Sequence, residues 1–237
     1  MLTQSTTYFV RAMAIVVFVF NRQSLIVVAA ILCVAGNSAV GSAADRKRAE
    51  NRALCKDSNP DLSIGGCTAL IQSGHETKPG RAVAFDHRGT GRARKGEYNL
   101  AIQDYDQAIR LEPDFAEAFN NRGVAYDDKG EHDRAIQDFD QAIRLKPDHA
   151  QAFNNRGTAY YDKRLYDCAI QDYDEAIRLK PDYAEAFNNL GNAYGRKGEN
   201  DRAILNYDEA IRLKPDFAEA LRNRGIAHGA KATTSGN

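Results

Sequence analysis

The chain has 237 residues, with 32 Lys plus Arg against 32 Asp plus Glu, so its formal net charge is zero. Past Ala44 the balance is 30 basic to 32 acidic, because Arg11 and Arg22 lie in an N-terminal stretch that has no acidic residue. A general nucleic-acid binder needs a basic stripe to neutralise phosphates, and this balance excludes one.

The first segment is apolar. Tyr8 to Ala44 is interrupted only by Arg11 and by Asn21-Arg22-Gln23, and Leu25 to Ala35 is a run of 11 uncharged residues. Gly41-Ser42-Ala43-Ala44 follows, and then the charged Asp45-Arg46-Lys47-Arg48. A basic residue, an apolar core and small residues before a cut describe a secretory signal, here cleaved after Ala44. A retained inner-membrane anchor over residues 8–36 is the other reading. The additional stretch Ala12 to Phe20 is long for a signal and points to a start at Met13 or to the anchor. Cys33 is no lipidation site, because bulky Ile31 and Leu32 precede it.

From residue 82 a 34-residue unit repeats without gaps over 82–115, 116–149, 150–183 and 184–217, and a partial fifth copy occupies 218–230. The second copy carries Phe119, Arg122, Gly123, Tyr126, Ala135, Phe139, Ala142 and Pro147. The third carries Phe153, Arg156, Gly157, Tyr160, Ala169, Tyr173, Ala176 and Pro181, and the fourth Phe187, Leu190, Gly191, Tyr194, Ala203, Tyr207, Ala210 and Pro215. The first reads Phe85, Arg88, Gly89, Arg92, Ala101, Tyr105, Ala108 and Pro113. This pattern resembles the tetratricopeptide repeat, a helix–turn–helix unit of this length. Phe stands for the family Trp, and Arg for the family Leu in three copies. The resemblance implies an all-α fold: a right-handed superhelical solenoid of antiparallel helix pairs, stacked because no unit buries its aromatics alone.

Each unit has readable boundaries. Asp114, Asp148, Asp182 and Asp216 are followed three residues later by Glu117, Gln151, Glu185 and Glu219, which predicts a capping box at each first helix. Gly96, Gly130 and Gly198 predict its stop, while Arg164 in the third copy predicts a strained or altered turn. A second helix follows, as in Arg134 to Leu145, and Pro113, Pro147, Pro181 and Pro215 close the units. Gly123 is expected to face Ala135, with Phe119, Tyr126, Phe139 and Ile143 filling the space between units. Arg88, Arg122, Arg156 and Arg224 are expected to lay their stems in the core and pair with Asp104, Asp138 and Asp172.

On the same resemblance, 45–81 is a degenerate hairpin. Ala44 to Lys56 and Asp61 to Ile71 are its helices, Cys67 takes the aromatic position, and Gln72 to Gly80 reads as a loop. Cys55 and Cys67 then lie on facing helices, either as a disulfide or as two buried thiols, without zinc spacing. Cys168 reads as a partly exposed free thiol. Residues 231–237 read as a disordered tail.

No catalytic set, cofactor motif or metal site emerges. His75, His87, His132, His149 and His228 form no H-x-x-x-H pair and no Cys/His cluster, and Gly89, Gly91 and Gly96 lack the spacing and the strand of a phosphate loop. The family's concave groove falls on the first helices, where Glu117, Asn120, Asn121, Val124, Asp127 and Asp128 share a stripe. The candidate binding residues there are Asn120, Asn121, Asn154, Asn155, Asn188, Asn189, Asn192, Arg222 and Asn223, with Asp127, Asp128 and Asp162. Repeated Asn either grips a peptide backbone or records duplication of one unit. Glu117, Asp127, Asp128 and Asp162 favour a peptide with basic residues, while Arg94 and Arg196 lie nearer the ends. Asp86, Asn120, Asn154 and Asn188 replace the Lys residues of a carboxylate clamp. The expected function is protein binding as a cell-envelope scaffold, periplasmic or secreted, with no nucleic acid and with membrane contact only through an uncleaved N-terminus. A membrane-anchored spacer and an accessory subunit of an envelope enzyme are the competing readings.

Overall fold

In the computed structural model, residues 43–235 are described, and the expected signal or anchor lies outside them apart from 43 and 44. Residues 43–50 are helical. A compact unit begins at Asn51. After helical residues 51–55 come α1 (Pro60–Ser73), α2 (Lys78–Arg94), α3 (Tyr98–Leu111), α4 (Ala116–Asp127) and α5 (His132–Leu145). Then come α6 (Ala150–Asp162), α7 (Tyr166–Leu179), α8 (Ala184–Arg196), α9 (Asn200–Leu213) and α10 (Ala218–Ser235). Each helix packs on its neighbours in sequence, and α4 also touches α2 and α6. The result is an all-helical solenoid of hairpins.

Glycine and an aromatic make each hairpin tight. A Cβ added to Gly123 would lie 2.6 Å from the Phe139 ring, and one added to Gly89, Gly157 or Gly191 would meet Tyr105, Tyr173 or Tyr207 at 2.6–2.7 Å. Gly123 therefore faces Phe139, not Ala135. The ring packs against the first helix at the glycine, and Ala135 and Ala142 of the second helix are fully buried. The polar tips of these rings are matched. Tyr105 Oη donates to Thr90 Oγ1, Tyr173 Oη to Thr158 Oγ1 and Tyr207 Oη to Asn192 Oδ1. Where the ring is Phe139, the facing residue is Val124.

The capping boxes do not form. The first helices start after Phe115, His149 and Tyr183, and none of these N-caps makes a side-chain bond. Asp114 and its equivalents instead occupy the second central position of a β-turn, directly after Pro. The turn closes with Phe115 N–H donating to Glu112 O, and the same bond recurs at His149, Tyr183 and Phe217. Pro presets the first central residue of such a turn, and Asp tolerates the second, so Pro-Asp serves the turn before the helix. Glu117 pairs with Lys146 instead. Side-chain N-caps occur at Asn59 and Thr77.

Helix ends follow one design. Gly96, Gly130 and Gly198 have φ of 75°, 76° and 78°, and Arg164 takes φ 61° at the same place. Glu131 N–H reaches Tyr126 O, and Leu165 N–H reaches Tyr160 O in the same way, so the third turn keeps its shape and Arg164 carries the strain. A side chain in the left-handed region costs about 1–2 kcal/mol, part of which Gly returns as unfolded-state entropy. Arg164→Gly is expected to stabilise the chain by about 0.5–1 kcal/mol, read as a higher urea midpoint at unchanged slope.

The ends differ from expectation. α1 runs on to Ser73, and α2 starts at Lys78 under a Thr77 cap, ahead of Ala82 where the sister helices begin, so the loop is only Gly74 to Thr77. Pro79 fits because the first helical turn needs no N–H there. At the other end α10 continues through 231–235, with Ala232 at the place of the turn glycine. Cys55 and Cys67 are joined in a disulfide. Closing a loop of this size stabilises by about 3 kcal/mol in the chain-entropy model. Cys168 is free and exposed.

Candidate interaction surface

The Arg residues near each first helix join repeats. Arg122 grips Asp138 with Nε and Nη2 at 2.8 and 2.7 Å, and its Nη1 donates to Asp106 of the preceding repeat at 2.6 Å. Arg156 does the same with Asp172 and Asp140. Arg88 takes Asp104 and reaches Thr68, while Arg224 bonds Asp208. The intrahairpin partners were legible from the period. The second set, Asp106, Asp140 and Asp208, was not.

The Asn ladder is inside the stack. Asn120, Asn154 and Asn188 are 3%, 7% and 1% exposed. Asn155 Nδ2 donates to Asn120 Oδ1, Asn189 to Asn154 and Asn223 to Asn188, at 3.0, 3.0 and 3.3 Å. Asn121 makes the equivalent bond to Asp86 Oδ1 at 2.9 Å. One amide bond therefore crosses each of four repeat junctions. Close approach of neighbouring first helices turns these side chains toward one another instead of outward. Asn192 is likewise committed, accepting from Tyr207 and Asn223. Asn121, Asn155 and Asn189 are half-buried with one amide proton engaged, and Arg222 is exposed.

Asp86 holds the position that is Asn in the next three repeats. Burial is the main reason its carboxyl is pushed up to about 6, against the bond from Asn121.

Where the second repeat meets the third, what remains open on the inner stripe is acidic. Asp128 and Asp162 are exposed and Asp127 is half-buried. Burial raises Asp127 and Asp128 above the usual carboxylate range. Among the described residues no Lys or Arg pairs with any of the three, and the partner of Asp127 is His132, at 2.6 Å. Nearby cations are engaged elsewhere: Lys163 with Asp133, Lys129 with Glu131, and Arg122 as above. Arg196 of the fourth repeat reaches back to the third, donating to Tyr161 Oη at 2.9 Å.

A family model described as tetratricopeptide repeat matches residues 116–149 and 184–217, and one described as TPR repeat matches 92–130 and 165–198. The chain is a tetratricopeptide repeat protein. No curated protein matches it. A crystal structure of MamA is 29% identical, covering 64% of this chain and 82% of that one with a TM-score of 0.57. YrrB, described as a TPR protein with an unusual peptide-binding site, is 19% identical over 76% of this chain and 90% of its own, with a TM-score of 0.59. Cut9–Hcn1, an APC/C hetero-tetramer, gives 21%, 70%, 32% and 0.63 for the same four quantities. At those identities YrrB and Cut9–Hcn1 show the tetratricopeptide fold alone. The repeats and these neighbours support a protein–protein interaction scaffold.

Proposed function

We propose that this tetratricopeptide protein is an exported scaffold that holds an extended, Lys- or Arg-bearing segment of a partner along the inner face of its first helices. The observation that carries the reading is charge: Asp127, Asp128 and Asp162 share one stretch of that face without a basic side chain among the described residues, other than His132, to pair with. Unpaired carboxylates in a shallow concave wall attract cationic ligands and are a natural source of specificity. The peptide-binding site named for YrrB lends fold-level support. Export is supported by the apolar N-terminal stretch and by the disulfide, which persists in oxidising compartments. Among the described residues no helix is long and apolar enough to cross a membrane.

The test is an array of random extended peptides probed with the chain and with an Asp128→Arg/Asp162→Arg variant. Arg94 and Arg196 hold the equivalent positions in sister repeats, so the variant keeps the fold. The parent is expected to retain peptides rich in Lys and Arg, and the variant to lose that preference. Retention of acidic or apolar peptides, or of none, contradicts the proposal and favours a spacer. An Asn121→Ala/Asn155→Ala/Asn189→Ala variant is unsuitable, because it removes bonds between repeats.

A further inference from the structure

Asp127, His132 and Asp162 converge where the second repeat meets the third. Asp127 ends α4, His132 opens α5 and Asp162 ends α6. Each offers one ligand atom, and the three atoms lie within 4.8 Å of one another. We infer that these side chains form a binding site for one divalent transition-metal ion of the zinc type.

The donor set fits that chemistry. An imidazole selects zinc, copper, iron or nickel over magnesium and calcium, and two carboxylates neutralise a divalent charge. Three protein ligands leave a coordination position for water or for a group from a partner. His132 Nδ1 and Asp127 Oδ1 lie 2.6 Å apart, which with an ionised carboxylate is a bond from the ring Nδ1 proton. Ligation through Nδ1 moves that proton to Nε2, so the neutral ring becomes a donor to the metal without losing charge balance. No Lys or Arg among the described residues competes for Asp127 or Asp162.

The set also occurs at one junction only among the described residues. The sister residues of Asp127 are Ala93, Tyr161 and Gly195, and those of His132 are Tyr98, Tyr166 and Asn200. Those of Asp162 include Arg94 and Arg196. In a chain whose repeats otherwise copy one another, three ligands meet at positions where the copies differ. A single ion per chain follows, and it would tie α4 and α5 to α6 across the repeat boundary.

The test is calorimetric titration of zinc chloride into the untagged full chain, beside His132→Tyr and Asp162→Arg. Both substitutions install residues that sister repeats carry, and Asp162 is exposed, so the helical spectrum should not change. The expected result is one site per chain, weakened roughly tenfold or more in each variant. Absence of binding to the parent, or equal binding by His132→Tyr, overturns the inference; the latter would place the ion elsewhere, for instance on Cys168. The basic-peptide proposal stands or falls separately, because His132→Tyr leaves all three carboxylates on the face.

Discussion

Arg122→Leu destabilises the solenoid by about 3–5 kcal/mol, and Arg122→Leu/Asp138→Asn recovers most of that loss. The single change strands Asp138, a buried carboxylate held by two of the three Arg122 bonds. A buried charge without its partner is far more costly than a buried pair is beneficial. The double change imports a solution already present in the fourth repeat, where Leu190 stands for the Arg and Asn206 for the Asp. Leu190 is buried, and Asn206 Nδ2 donates to Arg202 O one turn back. The amide introduced at position 138 would reach Arg134 O in the same register. Only the partly exposed Asp106 loses a partner, and an exposed ion pair contributes less than about 1 kcal/mol. Urea unfolding of the four members of the cycle measures the coupling. Equal losses for the single and double variants would contradict the account.

Asp86→Asn is expected to stabilise the protein by about 2–3 kcal/mol at pH 8 and hardly at all at pH 4. The sign follows from the direction of the shift. Burial raises the carboxyl from 3.8 to about 6 in the folded chain. Its favourable contribution is therefore complete below the unfolded value and is lost as the pH rises through the folded one. Asn carries no proton to lose, and its oxygen can still accept from Asn121, as Asn120 accepts from Asn155. Its amide group can turn toward Glu117, as Asn188 turns to Glu219. Midpoints measured across this pH range should show the two chains converging toward the acid end. A constant difference at all pH values would mean that burial of the charge is not the cause.

Periodicity exposes the helix pairs because small and aromatic residues recur at fixed spacing, and only stacked hairpins accommodate Gly123 under Phe139. It also marks Arg164 as a residue in a glycine's place. The Asp residues do not cap as expected because Pro-Asp satisfies a turn as readily as a helix start, and residue type alone does not separate the two. Asn120 and Asn121 look alike on a helical wheel. Their fates differ because the neighbouring helix approaches one side of the stripe, and that distance is a tertiary quantity. The signal available in the sequence lies in paired differences between copies. Arg with Asp gives way to Leu with Asn, and Tyr with Thr gives way to Phe with Val, which marks these positions as mutual contacts. His132 escapes a motif search because its partners are five and 30 residues away in sequence, a spacing that no short motif describes.

The central claim is that the acidic stretch of the inner face receives a basic segment. Mapping backbone amide shifts in the full chain during titration with a Lys-rich peptide tests it most directly. The account predicts that the perturbed amides lie around Asp127, Asp128 and Asp162 on α4 and α6, and that high salt abolishes the change. Perturbations confined to the outer helices α5 and α7, or insensitive to salt, would contradict it.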